Sequence, residues 1–424
     1  MKKISPDVWG NLALFLIVAL SVVVPKSNSA SIVVLLLASM VYFRAWWPPQ
    51  PLSKDVLAVF MAMALLASVW IVDGLVSGRG AASFEKPLKL LLPFVCMHYL
   101  LAYPPRAVWL WRGSVAGAVA LAALALYQVL VLHYDRAGNA YINSIRFGNA
   151  ALVLALLCAI GWYNTCLESN FRRIGLSLGV VCGLAGVFLS GTRGSWFVLV
   201  LVLQVWIGVL LLQGHKKILL SVAACIAVVA AVLIMNPRLG VQQRIEEAQT
   251  EVQVYSSQGV ANTSIGARLQ MWQFALHLYI QKPIFGWSQQ GYDAEKKRLI
   301  DAQQLDPFLH YFNHPHNDLL DAASKRGTVG AVSVLACHLS WFVFFVRRYR
   351  RQRKSDMRAL CMAGMMLPFV FFGFGLTDSP ITSNGTIVLY FYLATILMAM
   401  VLTGSQEVVS AAKRMHTSDT SSIV

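Results

Sequence analysis

Charge is scarce in this chain. Only 13% of its 424 residues are Asp, Glu, Lys or Arg, against 57% hydrophobic, and the mean hydropathy is +0.61. Soluble domains of this length carry roughly 25% charged residues, so a soluble globular class is excluded and a polytopic membrane protein is expected. Acidic residues are scarcest, 19 against 35 Lys and Arg, for a net charge of +16. Most of the basic residues lie in short segments between apolar runs, where they face anionic lipid and set orientation; nucleic acid is not expected as a partner. The long polar segment has no cysteine, and the seven Cys (96, 158, 166, 182, 225, 337 and 361) all fall in or beside apolar runs. Neither a disulfide framework nor a thiolate metal site is indicated, and these cysteines read as small core hydrophobes. Internal repeats, Gly/Ser linkers, P-loops, Gly-x-Ser-x-Gly and dinucleotide fingerprints are all missing. Nor does any run of His, Asp or Glu show metal-ligand spacing, so the expected metal and cofactor content is none.

Long apolar runs are what the chain does have. Twelve are long enough to span a bilayer: 8–24, 30–47, 56–76, 88–103, 107–132, 148–167, 174–190, 195–213, 217–235, 327–346, 359–376 and 384–403. The first, behind Lys2 and Lys3, resembles a signal peptide but is rather long for one and reads as an uncleaved span. The expected fold is an all-α polytopic membrane protein of about twelve transmembrane helices. It divides into 1–235 (spans one to nine), 236–326 (a helical periplasmic loop) and 327–424 (spans ten to twelve and a cytoplasmic tail). Alternate loops decide orientation. With a cytoplasmic N-terminus, the run Arg347–Lys354 and the pair Lys413-Arg414 fall inside with most other basic loop residues. Lys26, Arg79, Lys86, Lys89, Arg136, Arg146 and Arg193 fall in the sparser outer loops. The excess of Lys and Arg inside puts both termini in the cytoplasm and the polar loop outside.

Within that loop, 241–255 reads as a polar helix. Residues 264–281 read as an amphipathic one, with Ile265, Leu269, Trp272, Leu276 and Tyr279 on one face and Arg268 at its flank. Lys282-Pro283 stops that helix, Phe285-Gly286-Trp287 turns the chain, and a third short helix is expected over 295–305. Such helices would lie on the membrane surface above the span ends. The loop ends in His314-Pro315-His316-Asn317-Asp318. Asn317 suits an N-cap, Asp318 and Asp321 suit a first helical turn, and Gly327 suits the break before the next span. His316 therefore stands just ahead of a helix, where the helix dipole and His314 both disfavour the imidazolium. A neutral imidazole is what a general base requires. The alternative is that both histidines are interfacial side chains bonded to backbone.

Arg193 sits in Ser190-Gly191-Thr192-Arg193-Gly194-Ser195, a tight turn whose glycines allow close approach and whose hydroxyls add donors. A guanidinium there suits a phosphate, and Arg268, Arg79, Arg136 and Arg146 are expected on the same face. Each could instead reach to lipid headgroups. Asp378, in a short outer loop, could orient a base or an arginine.

These motifs resemble those of the bacterial O-antigen ligases, within a wider group that includes O-antigen polymerases and protein O-oligosaccharyltransferases. The likeness rests on His316-Asn317 followed after nine residues by Gly327-Thr328-Val329-Gly330, on Gly-Thr-Arg193-Gly-Ser-Trp, and on Arg268-Leu-Gln-Met-Trp with Pro283-Ile-Phe-Gly-Trp. It extends over nearly the whole chain; one departure is Phe197 where the family's arginine element ends in Leu. The resemblance implies a glycosyltransferase of lipopolysaccharide biosynthesis in the bacterial inner membrane. It would transfer O-antigen polysaccharide from undecaprenyl diphosphate to the lipid A–core on the periplasmic face, without metal and with inversion. His316 would be the base, Arg193 would act in catalysis and donor binding, and Arg268, His314, Asn317, Arg136, Arg146 and Arg79 would bind substrate. Polymerase and protein glycosylation remain open alternatives, as does a lipid-linked glycan flippase. A flippase would be expected to carry charge along a central pathway or to show repeated halves.

Overall fold

The computed structural model describes residues 5–20, 24, 27–47, 49, 51–138, 143–164, 170–212, 241–258 and 262–404. The described residues form helices and connecting turns, with no strand. The long helices are α1 (Asp7–Leu20), α2 (Ser27–Val41), α3 (Lys54–Val76), α4 (Glu85–Ala102), α5 (Ala107–Leu126), α6 (Ser144–Asn164), α7 (Asn170–Leu189) and α8 (Arg193–Leu212). They continue as α9 (Val241–Gln258), α10 (Ser264–Gln281), α11 (Ser288–Asp301), α12 (Asp318–Arg351), α13 (Ser355–Gly375) and α14 (Asn384–Gly404).

Seven of the helices are long and apolar enough to cross a membrane, and Asp7–Leu20, Ser29–Val41 and Arg193–Gly208 are shorter apolar helices. This is an all-helical, multi-span membrane protein. α4 falls short of the composition because Glu85, Lys86 and Lys89 crowd its first turns. The expected ninth span, 217–235, lies outside the described residues, as do Cys166, Cys225 and the chain's basic ends at Lys2, Lys3, Lys413 and Arg414. Cys96, Cys158, Cys337 and Cys361 are buried and unpaired, as small core hydrophobes should be.

One continuous apolar core runs through α1 to α8 and α12 to α14; α14 contributes an almost unbroken buried run, Ile387 to Val401. α6 packs on α7 through Gly179, Gly183 and Gly186, where an added Cβ would meet Cys158 at 2.5 Å, Ala155 at 2.7 Å and Ala151 at 3.1 Å. Small residues of this kind are what apolar helices need to approach closely where water supplies no hydrophobic drive.

The bundle has two distinct ends. At one, Arg347 pairs with Asp55 at 3.0 Å and Ser355 Oγ donates to Asn164 O, tying the basic end of α12 to the start of α3 and the start of α13 to the end of α6. At the other, Arg326 pairs with Asp73 at 2.9 Å, Asn384 Nδ2 donates to Glu85 at 3.0 Å, and Thr192 Oγ1 donates to Ser144 O at 2.9 Å. The 23 residues of α3 separate the ends by about 34 Å at 1.5 Å per residue. Every sequence-predicted site residue that is described lies at the second end, opposite the arginine run.

Helices α10 and α11 cap that end, packing on α12 and, through α11, on α3. α10 has the bounds its pattern predicts, with the Thr263 hydroxyl accepting from Gly266 N as N-cap. Its buried face differs from the expected one. Ala267, Met271, Phe274, Ala275 and Leu278 turn inward toward Tyr292, Leu299 and Leu309, while Leu276 is 48% exposed. Apolar residues occur on both faces of this helix, so its periodicity alone cannot choose between them. α11 starts at Ser288, directly after the Gly286 turn, rather than near Glu295, and ends at Asp301.

Gly327 breaks α12 as expected, at φ 63° and ψ −159°. The segment between α10 and α11 fills the break: Thr328 N donates to Pro283 O at 2.7 Å, and Trp287 N donates to Ser324 O at 3.0 Å. The contact is so close that a Cβ on Gly327 would lie 2.1 Å from Ile284 O. Helix ends leave backbone groups unpaired, and here neighbouring backbone satisfies them.

Candidate active site at one end of the bundle

The His314–Asn317 turn begins at the Asn313 carbonyl, which accepts from Lys325 Nζ at 2.9 Å, and Trp272 Nε1 on α10 donates to Pro315 O at 2.9 Å. Asn317 caps α12, its Oδ1 accepting from Leu319 N and Leu320 N at 3.0 Å, and its Nδ2 donates to Leu376 O at 3.2 Å. Asn317 therefore ties the turn to the end of α13. Between these anchors His316 adopts φ 51°, the left-handed region that non-glycine residues rarely occupy. Such backbone persists where surrounding contacts over-determine it.

That conformation aims the imidazole at the loop after α13. His316 Nδ1 lies 2.9 Å from Asp378 Oδ1, with the side chains 15% and 11% exposed. Burial works to raise the Asp378 carboxyl, but the His316 hydrogen bond and charge, Ser379 N–H and His314 together hold it below its ordinary value. Asp378 is thus a carboxylate accepting Nδ1–H, and His316 Nε2 has no partner among the described residues. His316 N donates to His314 Nδ1 at 3.3 Å, with the rings 4.5 Å apart. Burial, then the nearby His316, pushes His314 down to about 4, so at neutral pH it is an uncharged acceptor.

Two arginines flank this dyad. Gly194 packs on the residue before Asp378, where an added Cβ would sit 2.5 Å from Thr377 Oγ1, bringing the arginine turn beside the dyad. Arg193 is bound by α9: its guanidinium lies 3.2 Å from both Glu247 and Glu251. Arg268 donates to Ser264 Oγ at 3.3 Å, while its Nε is buried without a partner among the described residues. Burial pulls its guanidinium down; Asp378 and Glu251 hold it up and Arg193 opposes it, so these four charges form one field. The turn's hydroxyls are not free for a ligand, because Thr192 bonds to Ser144 O, Ser195 to Asn149 and Ser190 to Val187 O.

The remaining predicted arginines separate. Arg136 donates to Ser190 O at 3.2 Å and Gly191 O at 3.0 Å, supporting the turn that carries Arg193. Arg79 pairs with Asp73 at 3.4 Å and Arg146 is exposed at the start of α6; both belong to a different cluster.

The expectation that no His/carboxylate cluster exists here is corrected. His314, His316 and Asp378 offer ligand atoms within 4.8 Å of one another, a grouping able to hold a cation. Linear spacing hid it because Asp378 arrives from 62 residues away. The same atoms have a competing use: His316 Nδ1 and Asp378 satisfy each other, His314 Nδ1 takes a backbone N–H, and Arg268 adds positive charge beside them.

Residues 178–335, which carry Arg193, Arg268, His314 and His316, match the O-antigen ligase family. An O-antigen ligase of Escherichia coli K12 is 31% identical over 169 residues, 39% of this chain and 37% of that protein. Over this central stretch the chain is similar to the O-antigen ligases. An uncharacterized protein of Haemophilus influenzae is 22% identical over 357 residues, 84% of this chain and 89% of its own length. The family match stops before Asp378, so the partner of His316 comes from the fold and not from the matched stretch.

Sequence reasoning missed several residues of this candidate site. Glu247 and Glu251 lie in a helix with no motif. Trp272 was visible only as an apolar helical position. Asp318 reads as an ordinary first-turn acid, yet it is buried against Gly375 with Oδ2 unpartnered among the described residues.

Proposed function

We propose that this protein is an O-antigen ligase in the bacterial inner membrane: it transfers O-antigen polysaccharide from undecaprenyl diphosphate to a sugar hydroxyl of the lipid A–core, at the periplasmic face. The observation that carries the chemistry is the His316–Asp378 dyad, whose Nε2 has no partner among the described residues and whose carboxylate acts on Arg268. Both termini are cytoplasmic in this reading, about twelve helices span the membrane, and the capping helices lie on the outer surface. The separation of the Arg347–Arg351 end from the His316 end supports that orientation.

The acceptor hydroxyl attacks the anomeric carbon bonded to the diphosphate. Its proton passes to His316 Nε2 as the new C–O bond forms. The bond from the anomeric carbon to the diphosphate oxygen breaks, and its electron pair stays on undecaprenyl diphosphate. One displacement inverts the anomeric centre. Asp378 keeps Nδ1 protonated and so presents the lone pair at Nε2, then stabilises the imidazolium that forms. Arg268, with an unpartnered buried N–H, and Arg193 stabilise the charge that develops on the diphosphate, which no metal ion need supply. Glu247 and Glu251 hold Arg193 until the donor arrives.

Deletion tests the substrate assignment. The reading predicts that lipid A–core loses its polymer while full-length polymer accumulates on undecaprenyl diphosphate. Loss of chain length on the lipid carrier would instead indicate a polymerase, and glycan missing from a protein would indicate protein glycosylation.

A further inference from the structure

Transfer between two lipids requires holding both, and a second group of cations stands beside the dyad, sharing no member with Arg193 and Arg268. Arg79 lies on the turn after α3, between Gly78 at φ 59° and Gly80 at φ 68°. Lys86 lies in the first turn of α4, Arg146 in the first turn of α6, and Lys325 and Arg326 just before the α12 break. Two carboxylates answer these five cations, and both are committed. Asp73 takes Arg79 at 3.4 Å, Arg326 at 2.9 Å and Gln289 N at 2.9 Å. Asp321 takes Lys325 and, at 3.6 Å, Arg326. The nearby Glu85 is occupied by Lys89 and by Asn384 at 3.0 Å.

Lys86 and Arg146 are left without an ion pair or hydrogen bond among the described residues. Lys86 is also half-buried, and Arg146, Arg326 and Arg79 act on it as like charges, against Asp321 and the neighbouring Glu85, which is itself held by Lys89. A lysine that merely reaches to the membrane surface points its ammonium into water. One held among like charges and partly desolvated is costly unless an anion joins it. The cluster adjoins the dyad through Lys325, which pairs with Asp321 and donates to Asn313 O next to His314.

We propose that Lys86 and Arg146, backed by Arg79 and Arg326, bind a phosphate-class headgroup of the second lipid, the acceptor, at a site separate from that of the donor diphosphate. The lipid's identity as acceptor rests on the transfer reading; the anion site itself does not.

The test measures binding, so that it stands whether or not glycan is transferred. Purified protein in phosphatidylcholine nanodiscs is titrated with dioleoyl phosphatidic acid, dioleoylglycerol and farnesyl diphosphate. The expected result is saturable binding of phosphatidic acid over dioleoylglycerol. The double variant Lys86→Gln/Arg146→Gln should weaken it at least about tenfold, the scale of losing charge-assisted hydrogen bonds, while farnesyl diphosphate binding changes less than about twofold. Lys86→Arg in the Arg146→Gln background should recover part of the loss over Lys86→Gln, which a folding defect would not allow. Arg268→Gln should show the reverse selectivity. Unchanged phosphatidic acid binding in the double variant, or equal loss of both probes, overturns the proposal. Competition by inorganic phosphate at the same concentration as the lipid would show that free phosphate is the ligand, and would overturn the lipid assignment.

Discussion

Asp378 Oδ1 accepts from His316 Nδ1 at 2.9 Å although the two residues are 62 positions apart. The contact fixes the tautomer and leaves Nε2 as the basic atom. Asp378→Asn keeps the shape but removes the charge and allows the ring to take the other tautomer. Single-turnover transfer should fall by about 10²- to 10⁴-fold with donor binding nearly unchanged. Asp378→Glu, longer by one methylene, should recover little. Parallel loss of donor binding would mean that Asp378 serves the arginines instead.

Arg193 shares its guanidinium with Glu247 and Glu251. If it engages the diphosphate, Arg193→Ala should weaken donor binding and slow turnover, because the contact strengthens as charge develops on the leaving group. Arg193→Lys should rescue in part, keeping charge without the bidentate fork. Normal binding and transfer in Arg193→Ala would leave Arg193 as a strut for α9 and the phosphate site around Arg268.

His314 gives a pH signature. Its folded value of about 4 lies below the usual 6.5. Between those values the unfolded chain binds a proton that the folded chain excludes, so stability rises with pH across this window. The stabilising contribution is complete above pH 6.5 and is lost as pH falls toward 4. Thermal unfolding in detergent should therefore show Tm dropping from pH 6.5 to 4, with a shallower drop in His314→Gln. The same slope in both proteins would remove His314 as the cause.

Gly327 holds the α12 break against Ile284. Gly327→Ala forces a Cβ onto a carbonyl 2.1 Å away at a positive φ, and should cost more than the ~1–3 kcal/mol typical of strained backbone. Gly175, a helical glycine with open space at its Cβ, is the control; Gly175→Ala should be neutral or slightly stabilising. Thermal unfolding of the pair checks both.

Much of this was readable in the sequence, for physical reasons. Apolar length announces helices, so α3, α6 and α13 appear close to their expected bounds. Local stereochemistry announces the cap at Asn317 and the break at Gly327, both of which stand as expected. Contacts between distant segments leave no such trace. Nothing near Glu247 points to Arg193, and nothing near Asp73 points to Arg326. The five outer arginines read as residues of one face, because a sequence gives their side of the membrane but not their grouping. The fold assigns Arg136 to a turn, Arg193 and Arg268 to the dyad, and Arg79 and Arg146 to a second cluster.

The central claim is that His316 is the base for transfer. The most direct measurement uses purified protein in excess EDTA, with a polymer-bearing undecaprenyl diphosphate donor and lipid A–core, following single turnovers and donor binding together. Wild-type protein should transfer, and His316→Ala should bind donor normally while turning over about 10²- to 10⁴-fold more slowly. Near-wild-type turnover in His316→Ala, or wild-type transfer abolished by EDTA and restored by a divalent ion, would contradict it: the first would remove the base, and the second would make His314, His316 and Asp378 a metal site.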